Sequence, residues 1–243
     1  MIPPKYRAWW ALSVVRLREA AGIPKLRVRG VLIAPAEIFF DRAGEEDVLL
    51  QHDADGIAQT GWQEIDGSRY FFNPKGVMRT GWVHDGMGLY WLDSDGVMTK
   101  GWRKINGSWY WFLDDSYGTF AGVMASGFMH IDGHDYLFDV NGVMQTGWQF
   151  DGKSWYYFGT SGAMKTGWQS INGTWYYFDK NGVMQTGWQK VDGAWYYLNG
   201  SGGMATGWQG VNGSWYWFND SGIMQTGWLN LYGTWYHFND GGA

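Results

Sequence analysis

The side chains with the most telling spacing in this chain are tryptophans. Trp168 and Trp175 stand seven residues apart, and so do Trp102 and Trp109, Trp148 and Trp155, Trp188 and Trp195, and Trp208 and Trp215. The chain of 243 residues holds 19 Trp, 15 Tyr and 13 Phe. An aromatic face combines a large apolar area with a negative quadrupole, so it can hold apolar groups and cations alike. Cores are filled mainly by Leu, Ile and Val, and paired Trp seldom fill a seam without leaving a gap. The Trp pairs are therefore read as ligand-holding, and Phe178-type positions and the methionines as core.

Other chemistries find less support. His130 and His134 with Asp132 and Asp135 suggest a metal site, but a turn at Asp132-Gly133 separates them, and they read as surface polar residues. Asp53 with Asp55, and Asp93 with Asp95, lack the 12-residue calcium loop and its terminal Glu, and turn chemistry accounts for them. No Ser, His and carboxylate constellation stands out. Cysteine is absent, which excludes disulfides and thiolate metal sites. The expectation is a protein that is not an enzyme, needs no cofactor and binds no metal.

Charge narrows the partners. Residues 1–46 carry 8 Lys/Arg and 5 Asp/Glu, whereas residues 47–243 carry 10 and 18. An acidic, aromatic array argues against nucleic acid, whose phosphates call for basic side chains. It suits a cationic or neutral ligand. No apolar run is long enough to span a bilayer, so no membrane insertion is expected. Lys5 and Arg7 precede the apolar stretch Ala8–Val15, but Arg16, Arg18 and Glu19 follow at once. A short amphipathic helix fits better than a secretory signal.

The elements that must position the Trp pairs follow from a repeat. Gly-Trp recurs at Gly61, Gly81, Gly101, Gly147, Gly167, Gly187, Gly207 and Gly227, with Gly127-Phe128 as a variant. The period is 20 residues except between Gly101 and Gly127, where it is 26. Each unit is one supersecondary motif that cannot bury itself alone, so the copies must stack. In GWQSINGTWYYFDKNGVMQT (Gly167–Thr186), Asn172-Gly173 lies between aromatic and β-branched runs, the signature of a two-residue type I′ hairpin. Asp66-Gly67, Asn106-Gly107, Asp132-Gly133, Asp151-Gly152, Asp192-Gly193 and Asn212-Gly213 repeat it, and Tyr232-Gly233 departs from it. With Ile171 opposite Thr174, Trp168 opposes Tyr177. Trp168, Trp175 and Tyr177 then share one face, and Ile171, Tyr176 and Phe178 the other. Both faces are aromatic and both need cover from neighbouring hairpins.

The predicted fold is therefore all-β: a solenoid of about nine stacked hairpins over residues 47–243, after a non-repeating segment 1–46. That segment reads as a helix from Lys5 to Ala21, bounded by Pro3-Pro4 and Gly22, then a strand from Leu26 to Ile33. A half-repeat from Val48 reads as a capping turn. The longer connector Leu113–Phe120 predicts a bend or weakened seam.

GWQSINGTWYYFDKNGVMQT resembles the choline-binding, or cell-wall-binding, repeat of Gram-positive surface proteins and phage lysins. The resemblance extends over about residues 47–243. It implies a superhelix of β-hairpins that is extracellular and associated with the cell wall. It also implies a non-catalytic module holding choline or phosphocholine of teichoic acids in aromatic cages between consecutive hairpins. Related repeats bind glucan or other glycans, the alternative ligand class. The family pattern takes two Trp from one hairpin and a Tyr from the next. On this chain it implies the sets Trp148, Trp155, Tyr176; Trp168, Trp175, Tyr196; Trp188, Trp195, Tyr216; and Trp208, Trp215, Tyr236, with Met164, Met184, Met204 and Met224 lining the same seams. Trp102, Trp109 and Tyr136 form a set only if the long connector preserves stacking. Arg69, Leu89 and Asp135 stand where a second Trp is expected. Complete sites are thus expected from Gly147 onward.

Overall fold

The computed structural model describes residues 58–243, together with the backbone of two earlier strands, Glu37–Asp41 and Val48–His52. The helix and strand expected before Glu37 lie outside the described residues, as do Asp53 and Asp55. The chain divides into two compact units, Met1–Arg79 and Thr80–Ala243.

In the first unit, β1 (Glu37–Asp41) pairs antiparallel with β2 (Val48–His52), and β3 (Gly61–Ile65) with β4 (Ser68–Phe72). The stretch from Val48, expected as a half-repeat, is the second strand of a hairpin. Ile38, Phe39 and Phe40 supply its partner from residues read as non-repeating.

The second unit is a succession of eight hairpins: β5 (Gly81–His84) with β6 (Leu89–Leu92), β7 (Gly101–Ile105) with β8 (Ser108–Phe112), β9 (Gly127–Ile131) with β10 (His134–Phe138), β11 (Gly147–Phe150) with β12 (Trp155–Phe158), β13 (Gly167–Ile171) with β14 (Thr174–Phe178), β15 (Gly187–Val191) with β16 (Ala194–Leu198), β17 (Gly207–Val211) with β18 (Ser214–Phe218), and β19 (Gly227–Leu231) with β20 (Thr234–Phe238). Each pair is its own two-stranded sheet. The expected all-β architecture of repeated hairpins is the one observed.

Register is as the turn dictates. Ile171 opposes Thr174, Ser170 opposes Trp175, and Trp168 opposes Tyr177. Asn172 has φ 52° and Gly173 φ 80°, the paired left-handed conformations of a type I′ turn. Asp151-Gly152 departs from this turn, as does Asp85-Gly86 between β5 and β6. β11 ends at Phe150 and β12 begins at Trp155, so the loop has four residues. Asp151 instead accepts hydrogen bonds from the Lys153 and Ser154 amides at 2.8 and 2.7 Å. A two-residue turn there would pair Trp148 with Trp155. The wider loop keeps Trp148 opposite Tyr157 and Gly147 opposite Phe158, the pairing used along the array. Burial of Phe158 and its neighbours therefore overrides local turn preference.

A ladder of side chains opposite each leading Gly forms the core. Phe112, Phe138, Phe158, Phe178, Phe218, Leu92 and Leu198 are fully buried. Each packs beside the methionine that follows its hairpin, as in the Phe178–Met184 bridge. The connector between them is an Asx-type turn: Asp179 Oδ1 accepts from the amides of Asn181 and Val183, both at 2.9 Å. Gly182 closes it at φ 77°.

Geometry and composition of the aromatic seams

Neighbouring hairpins are joined where the paired tryptophans stand. The Met184 amide donates to the Trp155 carbonyl at 2.8 Å. Met204 donates in the same way to Trp175, Met224 to Trp195, and Met144 to Trp109, each at 2.8 Å. The backbone of the second Trp therefore anchors the connector of the following repeat, and its side chain is left to face the seam.

The four sets expected from Gly147 onward are brought together. Trp148 and Trp155 lie 6.3 Å apart at 85°, and Tyr176 of the next hairpin lies 4.8 Å from Trp148. Trp188 and Trp195 lie 6.2 Å apart at 88°, with Tyr216 at 4.7 Å from Trp188. Trp208 and Trp215 lie 6.4 Å apart at 85°, with Tyr236 at 5.0 Å from Trp208. Trp168 lies 4.7 Å from Tyr196, and these two line a cavity of about 350 Å³ with Trp175, Met204, Asp220 and Ser221. The first Tyr of each Tyr-Tyr pair crosses to the preceding hairpin. The second, Tyr177 for example, packs against its own Trp at 5.1 Å with the rings inclined by 55°.

Burial separates wall from core. Phe178 is 0% exposed and Trp175 is 45% exposed, although they sit on the same strand. Trp109, Trp155, Trp195 and Trp215 are exposed as well. A side chain this accessible contributes little to a core, and its free face is available to a ligand.

Two expectations are corrected. Trp102, Trp109 and Tyr136 form a fifth complete set: the two Trp lie 6.3 Å apart at 89°, and Tyr136 lies 4.9 Å from Trp102. Across the insertion the ring geometry matches that of the other seams, because the extra chain is looped out. The Leu113 amide bonds to the Val123 carbonyl at 2.9 Å and the Gly122 amide to the Leu113 carbonyl at 2.6 Å, so the ends of the extra chain are pinned together. Asp114 caps the short 3-10 segment Asp115–Phe120, and Lys100 pairs with Asp115. Complete sets thus begin at Trp102. Met184, Met204 and Met224 stand at seams of the expected sets, and Met164 is the one displaced. Met164 donates to Asp135, and it lines the incomplete seam with Phe128, Asp135 and Tyr156. Met144, which sequence reasoning missed, serves the Trp102 set. A methionine reaches back to the hairpin before its own, an offset that no single repeat reveals.

Where the second Trp is missing, each replacement has its own geometry. The Arg69 guanidinium lies 4.8 Å over the Trp62 ring, an internal cation on the face a ligand would use. Leu89 leaves Trp82 against Tyr110 at 5.2 Å. Asp135 lies 2.7 Å from His130 Nδ1, whereas His134 Nδ1 turns to the Gly133 carbonyl at 3.0 Å. Among the described residues no group of three His or acidic side chains is gathered for a metal. Asp93 accepts from the Asp95 and Val97 amides, which is turn chemistry. Beside the incomplete seam, the Tyr156 hydroxyl donates to Asp151 at 3.0 Å. Burial, then this bond, pushes the Tyr156 phenol above its ordinary value. The Ser154 and Lys153 amides pull the Asp151 carboxyl below its own. Among the described residues no helix is long and apolar enough to cross a membrane.

Comparison with known proteins agrees with this architecture. A family model described as choline-binding repeat matches residues 59–92, 125–166, 165–206 and 205–243, and a cell wall binding repeat model matches 100–116. Among curated protein sequences none matches. Among solved structures, CbpJ from Streptococcus pneumoniae TIGR4 is 28% identical with a TM-score of 0.62, over 85% of this chain and 93% of that one. Choline binding protein F from Streptococcus pneumoniae, in the presence of a peptidoglycan analogue, is 28% identical with a TM-score of 0.60, over 86% and 92%. The choline-binding domain of CbpL from Streptococcus pneumoniae is 29% identical with a TM-score of 0.53, over 76% and 96%. With more than half of its length matched by the repeat model and the hairpin stack to go with it, the chain belongs to the choline-binding repeat family.

Proposed function

We propose that the chain is a non-catalytic cell-wall-binding module that holds the choline groups of teichoic acids in the seams between consecutive hairpins. The observation that carries this reading is the recurrent Trp corner. Two Trp rings meet at 85–89°, and a Tyr from the next hairpin stands 4.7–5.0 Å from the first. A trimethylammonium group has no N–H to donate, so ordinary polar recognition cannot hold it. Aromatic faces can, at about 0.5–2 kcal/mol each. Two or three such faces give a site near the millimolar range, where the standard free energy is about −4.1 kcal/mol. Several such sites on one polymer add avidity without new contacts. The surroundings are acidic, in keeping with a cationic ligand.

The residues this reading assigns are Trp102, Trp109 and Tyr136; Trp148, Trp155 and Tyr176; Trp168, Trp175 and Tyr196; Trp188, Trp195 and Tyr216; and Trp208, Trp215 and Tyr236. Met144, Met184, Met204 and Met224 bring up the apolar backing. The module would act at the cell wall, outside the cell. Calorimetric titration with choline tests the assignment. The expected result is saturation at millimolar choline with a change in Trp fluorescence, and elution by choline from a tertiary-amine resin. No response to choline, with retention on dextran that choline does not reverse, would overturn it in favour of a glucan-binding module.

A further inference from the structure

We propose that the seam between β9–β10 and β11–β12 is a second kind of binding site, for a primary ammonium carried on a phosphate ester, a ligand of the phosphoethanolamine type. The seam forms an open cleft of about 290 Å³ lined by Phe128, Asp135, Tyr156, Met164, Lys180 and Asn181. Two aromatic walls persist there: Phe128 and Tyr156 lie 5.3 Å apart at 61°, close to the Trp148–Tyr176 arrangement. The third wall is a carboxylate. Asp135 opposes His130 in the register position where Trp175 opposes Ser170, so it stands where the second Trp does elsewhere. His130 Nδ1 engages Oδ1 at 2.7 Å, and among the described residues Oδ2 has no hydrogen-bond partner.

The charges of this seam are arranged in the opposite sense to those of the Trp168 seam. At Trp168 the walls are Trp168, Trp175 and Tyr196, and the acidic group, Asp220, belongs to the connector. At Phe128 the acidic group is a wall, and the corresponding connector supplies Lys180. An all-aromatic cage suits a quaternary ammonium because nothing on that ion needs a hydrogen bond. A primary ammonium has three N–H donors, and burying them against aromatic rings alone leaves them unpaired at a desolvation cost. Asp135 supplies the acceptor, in a charge-assisted bond, while Phe128 and Tyr156 keep the ring contacts. Lys180 would repel a bare amine and attract an anionic substituent beside it. A phosphate ester of an amino alcohol meets both groups at once.

The test is calorimetry on the full chain in saturating choline, titrating O-phosphoethanolamine, ethanolamine, inorganic phosphate and N-acetylglucosamine separately. One phosphoethanolamine site is expected, with ethanolamine weaker and phosphate weaker still. Asp135→Asn should weaken phosphoethanolamine by about tenfold, the worth of one charge-assisted hydrogen bond. Lys180→Ala should weaken phosphoethanolamine and strengthen ethanolamine, since the charge that attracts the phosphate and repels a bare ammonium is gone. Neither variant should alter the choline response, since neither side chain belongs to a Trp-lined seam. Absence of a phosphoethanolamine site, equal binding by Asp135→Asn, or tighter binding of N-acetylglucosamine would overturn the proposal. The Asp135→Asn comparison reads the same whether or not the Trp seams take choline, so failure here is distinct from failure of the choline assignment.

Discussion

Exchange of Gly202 for Ala probes how one repeat is locked onto the next. Gly202 has φ +85°, and a Cβ built there would stand 2.8 Å from Met184 Cε and closer still to its Sδ. Gly193, in the Asp192-Gly193 turn, has nearly the same φ, +84°, and a Cβ there would meet nothing within 4 Å. Both substitutions carry the same backbone penalty, about 1–2 kcal/mol for an L-residue in the left-handed region. Gly202→Ala adds overpacking against the thioether, about 1–3 kcal/mol. At roughly 2–4 °C per kcal/mol for a protein of this size, Gly193→Ala should lower Tm by about 2–8 °C, and Gly202→Ala by about 4–20 °C. Calorimetric melting of the two variants measures the difference directly. A Met184→Ala background should remove it, because the atoms that clash are gone, and the cycle should show coupling of about 1–3 kcal/mol, the whole overpacking cost. Equal Tm losses for Gly202→Ala and Gly193→Ala would refute the reasoning. It would mean that the methionine gives way freely and does not pin the connector.

Further outcomes follow from other parts of the structure. Tyr232 sits at φ 54° in the last hairpin turn and is 95% exposed, so Tyr232→Asn should relieve strain and raise stability by about 1 kcal/mol, read as a higher Tm. Trp175→Ala should remove one choline site from the calorimetric stoichiometry, while Phe178→Ala, at a fully buried position, should cost about 3–5 kcal/mol of stability. Tyr156 holds its proton longer in the folded state than in the unfolded one. Its contribution is therefore fully present below the ordinary phenol value of 10.0 and is lost as pH rises through the raised folded value. Phenolate absorbance should show a late-ionising tyrosine that is absent in Tyr156→Phe. Asp151 has the opposite sign: its lowered carboxyl favours the fold above the ordinary carboxylate range, and the effect fades in acid. Asp151→Asn should flatten the acid limb of a stability profile.

Much of the site could be read before any coordinates. The Asn172-Gly173 turn requires Trp168 opposite Tyr177, and the pairing is observed. Trp148 and Trp155 needed only a seven-residue spacing to be placed on one face. The Asp151-Gly152 turn was misread because the dipeptide sits one residue early. Its local preference for a tight turn yields to the register that buries Phe158. Met164 was misassigned because a methionine closes the seam before its own hairpin, so its partner, Asp135, lies 29 residues back.

The sequence by itself determined what is local. Strand pairing across a short turn is set by the turn residues and the alternation of side chains, and the 20-residue period requires the hairpins to stack. It could not decide what gathers at a seam. Each seam draws on three successive repeats, as Trp168, Tyr196 and Asp220 do at one, and Phe128, Tyr156 and Lys180 at another. Whether residues from three repeats converge depends on how the connectors are folded between them. Only the tertiary structure shows that the insertion after Phe112 is looped out, so that Trp102 still meets Tyr136. Likewise, only the stacking of hairpins shows that the carboxylate of Asp135 faces the same cleft as the ammonium of Lys180.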